Sequence, residues 1–303
     1  MKNLVCILSL FISIGYLNLS ALSGVFNPYL FLNRRVKPSS RIVRIGQIKE
    51  ILVAPLIDIY KKTGKIKILV DRDGTTDENC IPVMLALKEK GVEFGLARGG
   101  NVEDVLRYLG TLKPFIRIYA NNAEFWYDVD SSGRYHLVRG DPNAKPEMHP
   151  AVEQGVKALQ EKFPRSVKEV SLRRGGGATV WYDEGRGDIA MVRKYVTELK
   201  KVIEAQSDYK VFSSPTAALI SRFSKGDAAS DMKPDVAVGD GWQEGWGVDS
   251  DMAREGTKRI GLNIGPAEGV ASHIYTIEGI KNAAATKLFL EILLGEINKV
   301  DRE

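Results

Sequence analysis

The stretch Ile66-Lys67-Ile68-Leu69-Val70-Asp71-Arg72-Asp73-Gly74-Thr75-Thr76 joins a short apolar run to a polar turn. Ile66 to Val70 reads as a buried β-strand that ends at Asp71. Asp71 and Asp73, two residues apart, can project toward the same side of the chain. Gly74 lets the backbone turn sharply, and Thr75 adds a hydroxyl. In an open parallel sheet the carboxyl ends of the strands are where ligands bind. Two carboxylates there suit a hard, oxygen-seeking cation and nucleophilic attack on phosphorus. The same letters would also serve as a plain turn after a strand.

The neighbouring segments decide the architecture. Ile81 to Glu89 has helical spacing with Gly91 as a stop signal, Val92 to Ala97 is a second strand, and Val102 to Leu109 is a helix closed by Gly110. Phe115 to Tyr119 is a third strand, and this alternation predicts a parallel sheet with helices on both faces. The rhythm breaks at residue 123. Strand-like Phe125–Val129 and Thr179–Tyr182, with helices over Ala151–Lys162 and Ile189–Gln206, predict an inserted α+β domain across 123–222. Strands resume at Asp235–Val238, Arg259–Ile264 and His273–Thr276, before a final helix from Glu278 to about Ile297. The expected division is therefore 1–23 as signal peptide or anchor, 24–62 as basic presequence, linker and lead-in, 63–122 and 223–303 as the two parts of the core, and 123–222 as the insertion.

Two later segments complete a pattern. Ser224-Lys225-Gly226-Asp227-Ala228 opens a helix, and its lysine can hold a phosphate or a carboxylate that would otherwise repel one. Val238-Gly239-Asp240-Gly241-Trp242-Gln243-Glu244 ends a strand with acids four residues apart, which can complete a metal site. With residues 70–76, these segments resemble the first, third and fourth motifs of the haloacid-dehalogenase superfamily, in the branch whose cap is inserted between the second and third motifs. The resemblance covers roughly residues 60 to 297. It implies a Rossmann-like α/β core with an inserted α+β cap and a Mg2+-dependent phosphoric monoester hydrolase. It also implies Asp71 as nucleophile, Asp73 as general acid and base, and Lys225 as the partner of nucleophile and phosphate. Mg2+ would be held by Asp71, Asp73, Asp240 and Glu244, and substrate by Gly74 and Thr75. Sugar phosphatases, including the trehalose-phosphate and sucrose-phosphate groups, are the nearest likeness. Ile57-Asp58-Ile59-Tyr60 and Lys168-Glu169-Val170-Ser171 resemble the trehalose-phosphate group, whereas GDGWQEGW departs from its richer acidic motif. The expected partner is a small phosphate ester, a sugar phosphate by this likeness.

The second motif departs from the pattern. It normally places Thr or Ser at the end of the second strand, but the chain reads Leu96-Ala97-Arg98-Gly99-Gly100-Asn101. Either Arg98 replaces the hydroxyl as a phosphate ligand, or the loop shifts and Asn101 binds with the Gly99 and Gly100 amides. A sugar phosphomutase and a catalytically impaired phosphosugar-binding protein are the two rival readings. Gly175-Gly176-Gly177 lacks a strand–turn–helix context and reads as a cap loop. Trp242 and Trp246 flank Glu244, either lining a sugar pocket or packing.

The N-terminus reads as a targeting segment. Lys2 precedes an apolar run from Leu4 to Tyr16, followed by small residues around Ala21-Leu22-Ser23, which fits a secretory signal peptide or, with a membrane as partner, an uncleaved anchor. Six Lys or Arg and no acid follow between Gly24 and Lys49, as in two-part presequences of plastids of secondary origin or in a basic linker. The expectation is entry to the secretory pathway. Cys6 would leave with a signal peptide, leaving Cys80 without a disulfide partner. The 27% charged residues and net charge of +5 describe an ordinary globular chain. No cluster of basic and aromatic residues suggests nucleic-acid binding.

Overall fold

In chain order the elements are β1 (Arg41–Arg44), α1 (Ala54–Thr63), β2 (Ile66–Asp71), α2 (Ile81–Glu89), β3 (Val92–Ala97), α3 (Val102–Leu109), β4 (Phe115–Ala120), β5 (Phe125–Val129) and β6 (Tyr135–Arg139). The insertion supplies α4 (Pro150–Lys162), β7 (Val167–Leu172), β8 (Ala178–Tyr182), α5 (Ile189–Gln206), β9 (Lys210–Ser213) and β10 (Ala217–Ser221). The chain then returns through α6 (Lys225–Met232), β11 (Val236–Gly239), β12 (Ile260–Asn263), β13 (Tyr275–Glu278) and α7 (Asn282–Val300). The computed structural model describes residues 40–254 and 257–303. Residues 1–23, expected to be a signal peptide or anchor, and the basic stretch up to residue 39 lie outside them.

Among the described residues the main sheet runs β1-β13-β12-β11-β2-β3-β4-β5-β6, parallel from β1 to β4, with the β5–β6 hairpin added antiparallel at one edge. Strand order reverses around β2: the chain first builds outward through β3 and β4, then returns on the other side with β11, β12 and β13. That reversal opens a crevice at the carboxyl end of β2.

The two-residue period of β2 explains why its run is continuously apolar. Ile66, Ile68 and Val70 enter a core shared with α1, α2, α3 and α7, while Leu69 enters a second cluster with Ala228, Ala229 and Met232 of α6. A strand covered on both faces has no polar alternation. Asp71 shares the parity of Leu69, so it leaves the strand on the face that α6 covers.

Two expectations need correction. Residues 40–62 belong to the fold: β1 pairs with β13, and Ile48, Leu52, Val53 and Leu56 are fully buried. Their basic composition sits on the solvent side and hides this apolar stripe. Phe125–Val129, expected in the insertion, pairs with β4 in the main sheet. Asn121, Asn122 and Ala123 all take positive φ, and this left-handed run reverses the chain so that β5 folds back on β4. The cap proper is the four-stranded sheet β7-β8-β10-β9 with α4 and α5 packed on one face. Core and cap lie within one compact unit, Pro38–Glu303.

Candidate active site

Asp71 ends β2 buried, and its neighbour across β3 is Ala97. The turn after it closes through two backbone bonds, Thr75 N and Thr76 N both donating to the Arg72 carbonyl at 3.2 and 3.0 Å. The Thr76 hydroxyl donates to the Asp71 carbonyl at 2.8 Å. Gly74 sits at φ 71°, and a Cβ there would collide with the Asp240 carboxylate. Glycine is thus required both for the left-handed backbone and for the approach of β11's end to β2's.

The sequence Ser224-Lys225-Gly226-Asp227 is a capping box. Ser224 Oγ accepts from Gly226 N at 3.1 Å, and the Asp227 carboxylate accepts from Ser224 N at 2.7 Å. It places Lys225 at the first turn of α6, buried, with Nζ 2.7 Å from Asp71 Oδ1 and 2.6 Å from Asp249 Oδ1. Burial alone would make the lysine easier to deprotonate, but Asp249 and Asp71 outweigh it and hold the ammonium form firmly.

Carboxylate oxygens of Asp71, Asp240 and Asp249 all lie within 4.8 Å of one another. Burial first, and then the repulsion of Asp249 and Asp240, push the Asp71 carboxyl up to about 7 against the pull of Lys225. Burial and Asp249 push Asp240 up to about 6. Three carboxylates face a single lysine, so the cluster is short of positive charge. A hard divalent cation that prefers oxygen ligands fits that deficit and donor set.

Asp249 is the member that the sequence analysis missed. It lies nine residues beyond Asp240, past a loop with three glycines, where the expected spacing pointed to Glu244. Its Oδ2 accepts from Asp240 N at 3.0 Å and Gly241 N at 2.8 Å, which locks it onto the end of β11. Glu244 is exposed at the tip of that loop, its N–H bonded to the Gly269 carbonyl at 2.8 Å, and it lines no part of the cluster. Trp242 and Trp246 are buried in the core and the cap clusters respectively, so both pack and neither lines the pocket.

The cluster opens into a cavity of about 790 Å³ between core and cap, lined by Asp71, Asp73, Gly74, Arg98, Gly99 and Asn101 among others. Thr75 is not among them: it is fully buried, and its hydroxyl has no hydrogen-bond partner among the described residues. Asp73 is exposed and is held by Arg72 and, at 3.6 Å, by Arg98 Nε. Arg98 follows Ala97 directly, as the straightforward alignment requires, and is buried at the pocket wall with Nη1 donating to the Asn101 carbonyl at 2.9 Å. Asn101 lines the same wall but is exposed and begins α3.

The roof comes from the cap sheet. Val180 and Tyr182 of β8, with Ala218 and Ile220 of β10, face α4 and α5. The alternate residues Thr179, Trp181, Ala217 and Leu219 therefore face the cavity. No hydrophobic run announces these positions, because the face they form is neither core nor open surface.

No protein-family model and no curated protein matches the sequence. Solved structures do. The IMP-bound, N-terminally truncated IMP-nucleotidase of Plasmodium falciparum superposes at a TM-score of 0.53 with 12% identity, covering 77% of this chain and 68% of that one. Thermoplasma acidophilum 0175 superposes at 0.50 with 12% identity, covering 76% and 98%. Aspergillus fumigatus trehalose-6-phosphate phosphatase, 11% identical over 85% and 99% of the two chains, reaches 0.49, too slight a likeness to bear on function. With the strand order around β2 and the cap inserted after the edge hairpin, the first two likenesses show that the chain has the haloacid-dehalogenase-type fold, a parallel α/β core carrying an α+β cap.

Proposed function

We propose that the protein is a Mg2+-dependent phosphatase that hydrolyses a small phosphate monoester, a sugar phosphate by its motif likeness, through an aspartyl-phosphate. The observation that carries the reading is Asp71: a buried carboxylate at a strand end, paired with Lys225 and grouped with Asp240 and Asp249, opening onto a cavity. In this reading Asp71 attacks the phosphorus and the ester oxygen leaves with a proton from Asp73. Asp73 then takes a proton from the water that releases phosphate and regenerates Asp71. Lys225 keeps Asp71 and Asp249 in place and lowers the charge that an incoming phosphate meets. Asp71, Asp240 and Asp249, with the Asp73 backbone carbonyl, would hold Mg2+. When bound, the ion offsets the repulsion between carboxylate and phosphate. Ser171, Thr179, Ser214 and Thr216 on the cap offer hydroxyls, and Trp181 offers a ring, to a sugar-like leaving group. The structural relative that binds IMP supports a small phosphate ester as the class of substrate.

One observation favours a second reading, binding without turnover: Asp73, the intended proton donor, is clasped by Arg72 and Arg98. Phosphate release from a panel of sugar and nucleoside monophosphates in Mg2+ decides between them. We expect release, abolished by Asp71→Asn with the fold intact, because the amide keeps the shape but loses nucleophilicity. Removal of a nucleophile costs on the order of several powers of ten, so a variant keeping more than about a tenth of the activity sinks the assignment. Binding with no release in any member of the panel makes the second reading the right one.

A further inference from the structure

The floor and roof of the cavity differ in charge. The core side presents Asp71, Asp73, Asp104 and Asp240 beside Arg98 and Lys225. On the cap side the charged lining residues are Arg173 and Arg174, and among the described residues no cap carboxylate lines the cavity. Arg173 follows the end of β7, and its Nε donates to the Thr179 hydroxyl at 2.6 Å, which orients the guanidinium. Its Nη1 is buried with no hydrogen-bond partner, and no ion pair within 4 Å reaches it among the described residues. Glu124, the carboxylate whose field it feels, is taken by Arg222 at 2.9 Å. Nη1 lies 3.9 Å from where a Cβ on Gly99 would stand, so the cap arginine reaches the core loop one residue beyond Arg98. Burial, and then the like charge of Arg98, push Arg173 down to about 10. A half-buried guanidinium held beside another, with a buried donor left over, is costly without an anion to bind.

We propose that Arg173 is a specificity-determining residue that binds a second anionic group of the substrate, a phosphate or carboxylate on the leaving-group side of the phosphate that Arg98 and Lys225 face. The inference rests on the phosphatase reading and narrows its substrate class to esters with two anions. Trp181 and Thr179, alternate residues of β8, then border the segment between the two anions.

The test compares four probes with the full chain in Mg2+: p-nitrophenyl phosphate, a hexose monophosphate, the matching hexose bisphosphate, and a phosphorylated hydroxy acid. Charge-assisted contacts of this kind are worth about ten- to hundredfold. We expect kcat/KM to be at least about tenfold higher for whichever doubly anionic class fits, bisphosphate or phospho-acid. Arg173→Gln should cut that ratio about ten- to hundredfold, with Arg173→Lys recovering part of it. Calorimetric binding of the same probes to Asp71→Asn should show the same preference, lost in Asp71→Asn/Arg173→Gln. Equal rates and equal binding for singly and doubly anionic probes overturn the proposal. So does an Arg173→Gln variant that slows every ester alike, which would make the residue one more ligand of the reacting phosphate. If no ester is hydrolysed, the phosphatase reading fails, and calorimetry on the unsubstituted protein still decides whether the second anion is bound.

Discussion

Arg98 stands directly after β3, where the family pattern would place Thr or Ser, and brings a different group to that position. A Thr or Ser at the end of β3 would offer a hydroxyl to phosphate and touch little else. The guanidinium instead spans the wall, bonding the Asn101 carbonyl and approaching Asp73 and Asp104 at 3.6 and 3.8 Å. Burial makes its charge costly, which favours an anion beside it. Arg98→Ala should therefore raise KM and weaken competitive inhibition by inorganic phosphate about ten- to hundredfold. Arg98→Thr should keep more activity than Arg98→Ala, because it restores a donor at the strand end. Steady-state kinetics with phosphate as inhibitor checks both, and an Arg98→Ala variant with unchanged KM and inhibition removes Arg98 from the site.

At the scale of elements, the loop between Asp240 and Asp249 ties the core to the cap. It leaves β11, throws Glu244 into solvent, and inserts Trp246 into the apolar cluster of α4, α5 and the cap sheet. The Trp246 carbonyl accepts from Ser213 N at 2.8 Å, and the Gly245 carbonyl accepts from Lys200 Nζ at 3.0 Å. The segment that ends in a carboxylate of the acidic cluster is thereby anchored in the cap. Trp246→Ala should cost about 3–5 kcal/mol, the usual penalty for emptying such a site. It should also raise hydrogen exchange in β9 and α5 more than in β2 or β3. A thermal midpoint equal to that of the parent protein, or exchange raised evenly throughout, would show that the loop does not hold the cap.

For the whole molecule, the buried acidic cluster links stability to pH and, under the proposed function, to cation. Without Mg2+, Asp71 and Asp240 keep their protons up to about 7 and about 6, whereas an unfolded chain releases them near 4. The folded form then binds more protons than the unfolded one across that interval, so its stability is greatest at the acid end and declines as pH rises toward 7. A divalent cation held there, as proposed, would take over the role of those protons and compete with them. In chelator the thermal midpoint should accordingly fall between pH 5 and pH 8, and added Mg2+ should raise it more at pH 8 than at pH 5. The effect is on the order of a few kcal/mol, or about 2–4 °C for each. A Mg2+ shift that is absent, or larger at pH 5, contradicts a cation site built on these three carboxylates.

How much of this was legible in the chain follows from how local each signal is. The strand–turn signature at residues 66–76, the helix start at Ser224 and the helices Ile81–Glu89, Val102–Leu109 and Ile189–Gln206 depend on neighbours a few residues away, and the sequence by itself determined them. Those signals carry the α/β core, the inserted cap, and the places of Asp71, Lys225 and Asp240. Only the tertiary structure decided the rest. Asp249 rather than Glu244 completes the acidic cluster, because a loop of eight residues can return to its own strand end in ways that spacing does not specify. Phe125–Val129 joins the main sheet because a left-handed run at Asn121–Ala123 folds it back on β4, and a strand's sequence does not name its partner. Arg173 meets the Arg98 loop only when β7 is laid across the core, since proximity between distant segments is a property of packing and not of any short stretch of residues.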